Sequence, residues 1–420
     1  MEVIYKNKNG KLIQGDNVEV MKELNPNIID TCISDFPYDL SFMSRAWDTT
    51  GNFYEWNKAR AKELFRIIKP GGFALIFGHA KTNHRMKCAF EDVGFKIVEE
   101  IDWIYFTGFP KNQDIGKMFD KKAGAKREVV GYQEPFGREG RKTNGKPKFD
   151  VEGWDTKSGL QPIEKPSTKL AKQWNGWKTA GLKPSKEPIT VFQKPLEGTY
   201  CDNIEKWEVG GFNIDACRIK HNEPIKTTNR QKDMGDTWNK DNCGLRNNPT
   251  NMASADPSGR FPPNIIFDEI TSEMLNEQTG VRTSGSNCVR TKEGSFVEHG
   301  GLGKAGDVQI TYGDSGGGSR FFYCAKPSPS DKKLLDGTKN THITVKPVNL
   351  IKWLIKLTTP KNGVTIDITA GSCTHAVAVE ELNRNEDYNL KWLNIEMLNS
   401  EKEPYCEIGK KRIEAIHNQE

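Results

Sequence analysis

The chain has 420 residues, 35% apolar and 28% charged, with a net charge of +5, enough for a sizeable core in two or three domains or one large domain with an insertion. No run of about 18 apolar residues occurs and the first ten residues are polar, which argues against a membrane span or a secretory leader and sets the expectation of a cytoplasmic protein. The nine cysteines are scattered, none at C-x₂₋₄-C spacing, so neither a disulfide scaffold nor a structural zinc site is expected.

Residues 11–14 and 28–34 read as short strands, the second nearly all apolar and so central in a sheet. Between them Val18, Met21 and Leu24 share one helical face. Residues 55–68 form an amphipathic pattern stopped by Lys69-Pro70-Gly71-Gly72, and 73–77 read as a buried strand. A helix over about 82–93, closed by Gly94, and a strand over 96–105 follow. This alternation is the grammar of a doubly wound α/β sheet.

From Gly131 to Lys339 the alternation stops. Gly, Pro, Asn, Ser and Lys dominate, broken by short apolar pieces at 188–192, 264–267 and 320–325, and an irregular inserted domain is predicted. The α/β pattern returns with a helix at 348–357, a strand at 363–367, a helix at 374–383, a strand at 393–396 and a helix at 407–416. The expected organisation is one α/β domain built from residues 1–130 and 340–420, split by region 131–339.

The basic excess is local. Between Lys111 and Pro195 there are 19 Lys and Arg against 10 Asp and Glu, interleaved with Tyr132, Phe136, Phe149, Trp154, Trp174 and Trp177. Such a segment suits phosphate neutralisation and base stacking, or an ordinary solvated loop surface. Gly313-Asp314-Ser315-Gly316-Gly317 resembles the surroundings of a serine-protease nucleophile, but nothing else in the chain supports that reading and it is taken as a Gly/Ser loop.

Two strand ends, more than 300 residues apart, carry the chemistry. The first is Ser34-Asp35-Phe36-Pro37-Tyr38, an apolar strand ending in an acid, a proline and an aromatic. The second is Asp367-Ile368-Thr369-Ala370-Gly371-Ser372-Cys373-Thr374, an acid followed by a small-residue turn into a helix. Open α/β sheets bind ligands beyond the carboxyl ends of strands where strand order reverses, so the two tips are expected to be neighbours.

At these residues the sequence resembles the amino-methylating DNA methyltransferases that act on adenine N6 or cytosine N4. Their catalytic motif is usually D-P-P-Y and their cofactor loop D-P-F-x-G-S-G-T-T. The order of catalytic motif, insertion, His342-Ile343-Thr344-Val345-Lys346-Pro347 and cofactor loop resembles the circularly permuted beta class. Gly181-Leu182-Lys183-Pro184, Glu187-Pro188-Ile189 and Arg320-Phe321-Phe322-Tyr323 resemble phage-type members.

The resemblance implies a Rossmann-like fold, S-adenosyl-L-methionine as cofactor, and double-stranded DNA as partner, in a bacterial or phage-infected cell. It implies that region 131–339 recognises the target and leaves a homodimer and a cognate restriction nuclease open. Asp35 and the Phe36 carbonyl would accept the amine's N–H groups beside Pro37, while Tyr38 stacks on a flipped base. Asp367, Gly371, Ser372 and Thr374 would line the cofactor pocket, with His342, Thr344 and Lys346 near the methionine carboxylate and Glu396 on the ribose. No metal is required. Adenine N6 is preferred over cytosine N4 because the motif begins with Asp.

The sequence departs from the family pattern at Phe36, Ile368, Thr369, Cys373 and His375, and His342-Ile343 lacks a usual proline. A side chain at 373, where the family has glycine, is expected to weaken cofactor binding. The competing reading is therefore a silent DNA-binding relative that has lost its cofactor.

Overall fold

The apolar run expected at the centre of a sheet is strand β3 (Ile29–Asp35), buried along its length until Asp35. It belongs to a computed structural model that describes residues 1–40, 48–106, 108, 112–133, 161–220, 258–284, 288–289, 308–309, 312–328, 331, 334, 337–338, 340–342 and 344–417. Phe136, Phe149, Trp154 and Ile343 lie outside the described residues.

The other strands of this sheet are β1 (Glu2–Lys6), β2 (Gly10–Gln14), β4 (Ile68–Phe77), β5 (Lys96–Ile104), β6 (Lys186–Gln193), β7 (Ile265–Phe267), β8 (Tyr323–Cys324), β9 (Val364–Asp367) and β10 (Lys391–Glu396). Their spatial order is β1-β2-β10-β9-β3-β4-β6-β5-β7-β8. Every neighbouring pair is parallel except β1 with β2 and β6 with both β4 and β5.

Parallel strands are covered on both faces, and two buried clusters do this. Helices Val348–Thr358, Thr374–Glu386 and Tyr405–His417 supply Leu354, Val377 and Ile413 to one face. Helices Asn17–Lys22, Phe53–Ile67 and Asn83–Glu91 supply Met21, Leu64 and Phe90 to the other. The helix after β9 and the helix after β3 thus lie on opposite faces, and the winding reverses between these two adjacent strands. The doubly wound α/β expectation holds.

The three apolar pieces inside the region read as irregular are strands of this sheet, β6, β7 and β8. Short apolar runs without flanking helical periodicity do not reveal their pairing, and β6 needs the walls of β4 and β5 to define it. Strand β4 also runs through Lys69-Pro70-Gly71-Gly72, where a stop was expected. Ile68 pairs with Ile29 and pairing resumes at Phe73 with Thr31, so the Pro-Gly-Gly run is a bulge inside a strand.

Contacts divide the chain into Met1–Phe106 with Lys186–Glu420 as one unit and Thr107–Ser185 as the other. In the smaller unit, helices Ile115–Lys122 and Lys169–Gln173 accompany an antiparallel pair, Glu128–Gln133 with Gln161–Lys165. Buried Asp120 holds it together by accepting from Arg127 Nε at 2.7 Å and from the amides of Ser167 and Thr168.

Gly313-Asp314-Ser315-Gly316-Gly317 lies in the larger unit. Asp314 accepts from Arg260 at 2.6 Å and from the Ser284 hydroxyl, and Ser315-Gly316 pair with Arg282-Thr283. The run is a pinned turn. No described helix is long and apolar enough to cross a membrane.

Candidate active site

The two strand tips meet. β9 pairs with β3 through Thr365 opposite Thr31 and Ile366 opposite Cys32. Beyond the last pair, the Ser34 hydroxyl donates to Asp367 Oδ1 at 2.6 Å and the Thr369 hydroxyl donates to the Asp35 carbonyl at 3.0 Å. Ser34 Oγ and Thr369 Oγ1 lie 2.7 Å apart. Thr369, a departure from the family pattern, is thus a tie between the tips.

Around Asp35 the side chains form a charged knot. Tyr38 OH donates to Asp35 Oδ1 at 2.8 Å, and Lys346 Nζ lies 2.7 Å from Asp35 Oδ2 and 2.9 Å from Glu187 Oε2. Tyr38 OH is also 3.3 Å from Glu187 Oε2. Burial alone would lower the pKa of the Lys346 ammonium, but Asp35 and Glu187 outweigh it and the net shift is upward. Burial, then Asp35 and Glu187, pushes the Tyr38 phenol well up, so it remains a donor. Burial also raises the Glu187 carboxyl, with Lys346 opposing.

Asp48 fixes the turn after Pro37 by accepting the amides of Tyr38, Asp39 and Leu40 at 2.8 to 3.1 Å. Phe36 points into the core, 2% exposed, edge-on to Trp56 with ring centroids 5.4 Å apart. The side chain that replaces a proline is therefore packed away from the carboxylate it follows.

Asp367 Oδ1 accepts from Ser34 and from the Thr369 amide. Burial pushes its carboxyl up to about 7, against the pull of these bonds. Gly371 has φ +51°, and a Cβ there would lie 2.7 Å from His342 Nε2, so this position needs glycine on both counts. Its amide donates to Glu396 Oε2 at 2.6 Å, while Glu396 Oε1 accepts the Leu398 amide at 2.8 Å. Ser372 and Thr374 are held by Arg412, whose Nη1 reaches the Ser372 carbonyl, the Ser372 hydroxyl and the Thr374 hydroxyl within 3.0 Å.

Cys373 adopts a left-handed backbone, φ +61° and ψ +37°, and is fully buried. A Cβ at Gly409 would lie 2.3 Å from Cys373 Sγ, so the thiol fills space that helix Tyr405–His417 leaves open at its glycine. Burial raises the thiol pKa well above normal, and the group behaves as a small apolar side chain. His375 is likewise internal, with Thr365 Oγ1 at 2.8 Å and Asn394 Oδ1 at 2.7 Å.

His342 packs against Tyr405 with ring centroids 4.4 Å apart, and burial lowers its pKa to about 4, so it is neutral at pH 7. The Thr344 amide faces His342 Nδ1 at 3.3 Å. Lys346, assigned by resemblance to the cofactor's methionine carboxylate, has its ammonium between Asp35 and Glu187. Among the described residues no group of three His, Cys, Asp or Glu is placed to hold a metal ion.

The crevice at this reversal of winding fits an adenosyl-type ligand in three respects. A glycine turn has no room for a Cβ, the Glu396 carboxylate at the next strand end has more lone pairs than the Gly371, Leu398 and Met397 amides it accepts, and among the described residues the hydrogen bonds to Asp367 fall on Oδ1. Sequence reading gave no role to Ser34 and Glu187, although both stand in runs quoted above, and missed Asn340 and Arg412. Asn340 Nδ2 donates to Ser372 Oγ at 3.0 Å. The one available signal was Glu187, an acid directly before the apolar piece 188–192.

A family model described as DNA methylase, for N6 and N4 methyltransferases, matches residues 29–411. The Type II methyltransferase M.HindIII of Haemophilus influenzae is 21% identical over 413 residues, covering 89% of this chain and 88% of that protein. The Type II methyltransferase M.HpaI of Haemophilus parainfluenzae is 29% identical over 114 residues, 26% of this chain and 36% of that protein. Among solved structures, the PvuII DNA methyltransferase, cytosine-N4-specific, aligns over 98% of this chain and 95% of its own at 13% identity and TM-score 0.43. The family match runs from the first residue of β3 into the last helix and so spans both strand tips and everything between: the chain belongs to the N6/N4 DNA methylase family and is an S-adenosyl-L-methionine-dependent DNA methyltransferase.

Proposed function

We propose that the chain transfers a methyl group from S-adenosyl-L-methionine to the exocyclic amine of a base flipped out of double-stranded DNA, with adenine N6 favoured over cytosine N4. The observation that carries this reading is the junction of Asp35 and Asp367 on adjacent parallel strands where the winding reverses. When bound, S-adenosyl-L-methionine supplies a methyl group made electrophilic by the attached sulfonium.

The protein's part is acceptance and orientation. Asp35 and the Phe36 carbonyl accept the amine's N–H groups and so return its lone pair from the ring. Pro37 holds the turn and Tyr38 offers an aromatic face to the flipped base. Asp367, Gly371, Ser372, Thr374, Glu396, His342 and Thr344 form the cofactor side, and Lys346 stands where the two sides join. The preference for adenine rests on the Asp-led motif.

Target recognition is assigned to the residues between the two halves, 131–339, together with the basic unit Thr107–Ser185. That unit has 17 Lys and Arg against 9 Asp and Glu, and Tyr132 and Trp177 are exposed on it. Phosphate neutralisation of this kind makes affinity fall with salt. The setting is the cytoplasm of a bacterial or phage-infected cell. A silent DNA-binding relative is not favoured, since Cys373 and Phe36, which suggested it, are both packed into the core.

The test is nucleoside mass spectrometry on DNA from a methylation-deficient host expressing the chain, beside a host expressing Asp35→Ala. N6-methyladenine that disappears in the variant supports the reading. N4-methylcytosine in its place corrects the base, and neither product from soluble protein would sink the proposal.

A further inference from the structure

Each oxygen of Asp35 already has a partner. Oδ1 accepts from Tyr38 OH at 2.8 Å and Oδ2 from Lys346 Nζ at 2.7 Å. An amine that donates to Asp35 competes with these partners for the carboxylate, and a buried ammonium or phenol that loses its share with no other acceptor costs several-fold in affinity or rate. Glu187 resolves this. Its Oε2 is already 2.9 Å from Lys346 Nζ and 3.3 Å from Tyr38 OH, so each partner of Asp35 has a second acceptor within reach. Glu187 comes from β6, the antiparallel strand between β4 and β5, in the Glu187-Pro188-Ile189 run that resembles phage-type members and to which the resemblance gave no role.

Charge points the same way. Asp35 and Lys346 alone sum to zero, whereas with Glu187 ionised, the form that Lys346 favours against burial, the knot carries one net negative charge in a half-buried to buried setting. In the reaction the amine lone pair forms the new N–CH₃ bond and the S–CH₃ bonding pair returns to sulfur, so positive charge passes from sulfur to nitrogen. The methylated nitrogen then gives one N–H proton to Asp35, which passes it to solvent. A site with net charge zero offers that cationic nitrogen no net attraction; a site with net charge −1 does.

We infer that Glu187 is a positioning residue of methyl transfer: it receives Lys346 and the Tyr38 hydroxyl when the target amine takes Asp35, and it keeps the site one negative charge in excess. This inference rests on the methyltransferase reading above. It concerns how the reaction is supported and not which base is methylated.

The experiment uses the full chain, labelled S-adenosyl-L-methionine and genomic DNA from a methylation-deficient host, with enzyme in excess over DNA so that the rate constant of transfer is read. Four proteins are compared: the unaltered chain, Glu187→Gln, Lys346→Met, and the double variant. Cofactor affinity by calorimetry and thermal unfolding are measured on the same preparations. Glu187→Gln is expected to slow transfer by about 10- to 100-fold while cofactor affinity changes less than about threefold. The double variant, which again carries one net negative charge, is expected to recover at least about tenfold of that loss.

A merely structural Glu187 would lower the unfolding temperature and cofactor affinity together and leave the rate of the folded fraction unchanged. That result, or a double variant as slow as Glu187→Gln, overturns the inference. If Glu187→Gln does not fold, Glu187→Asp keeps the charge and is expected within about tenfold of the unaltered rate; a folded but inactive Glu187→Asp overturns it. If the unaltered chain methylates nothing, the proposed function fails and not this inference alone.

Discussion

The thiol of Cys373 occupies the space that a side chain on Gly409 would need, 2.3 Å from where that Cβ would stand. A position where the family usually has glycine has gained a side chain, and the facing helix is glycine at the point that receives it. The two positions therefore act as one packing unit. Gly409→Ala is expected to destabilise the protein by about 1 to 3 kcal/mol through overpacking, and Cys373→Ala in the same chain should return part of that loss. Thermal unfolding of the two single variants and the double variant checks this; additive effects would show that the residues do not share the space.

Cys373→Gly is expected to leave cofactor affinity within about threefold of the unaltered value, since the thiol faces the core and not the ligand. A buried sulfur is lost, worth about 1 to 2 kcal/mol, while a left-handed residue is relieved by roughly 1 kcal/mol. Titration calorimetry with S-adenosyl-L-methionine decides the matter, and a large gain in affinity would mark Cys373 as damage to the site.

Asp367 has its carboxyl pushed up to about 7 by burial, with an ordinary value of 3.8. Folding therefore takes up a proton between about pH 4 and 7, and this group's contribution to stability declines as pH rises through that window and is flat above it. Hydroxyl or ammonium donors of a cofactor favour the ionised form. Affinity for S-adenosyl-L-methionine should accordingly rise from pH 6 to 8, by up to about tenfold per unit below pH 7, and Asp367→Asn should flatten the rise. His342, at about 4, does not titrate in this range. Proton release measured in buffers of different ionisation enthalpy is the check.

Glu396 joins the loop to the end of its neighbouring strand by accepting the amides of Gly371 and Leu398. Glu396→Gln sets an NH₂ donor against one of those amides, at an expected cost of about 1 to 3 kcal/mol. Cofactor affinity should fall by at least about tenfold in the same variant, because the amide and the ligand share one carboxylate. Unfolding and calorimetry on one preparation would separate the effects; a stability loss with unchanged affinity would remove Glu396 from the pocket.

Asp35→Ala should reduce methylation of host DNA by at least about 100-fold while leaving cofactor affinity nearly intact. Side-by-side nucleoside analysis and calorimetry measure both. Retained methylation would require another acceptor for the amine.

The alternating core of the fold was legible because strands such as Ile29–Asp35 and helices such as Phe53–Ile67 carry their periodicity in their own residues. Strand Lys186–Gln193 was not, since eight residues between polar loops acquire meaning only from the strands on either side. The site divides in the same way. Asp35 and Asp367 announce themselves by ending apolar strands, and Thr369 and Cys373 looked like losses because their compensations, the Asp35 carbonyl and Gly409, come from elements with no local link to them. The role of Glu187 was hidden for the same reason: its partners Tyr38 and Lys346 are 149 and 159 residues away.

The bond from Ser34 to Asp367 joins residues 333 positions apart. A ribosome adding about 5 to 20 residues per second finishes β3 roughly 15 seconds to a minute before β9 exists to lie beside it. Through that interval a strand buried along nearly its whole length has one of its edges uncovered, and Asp35 has no glycine turn facing it. Synthesis therefore yields the strand tip that carries Asp35 early and the tip that carries Asp367 last. A nascent chain holds Asp35 long before its neighbouring loop, and the loop is pinned only once helix Tyr405–His417 brings Arg412 and Gly409 against it.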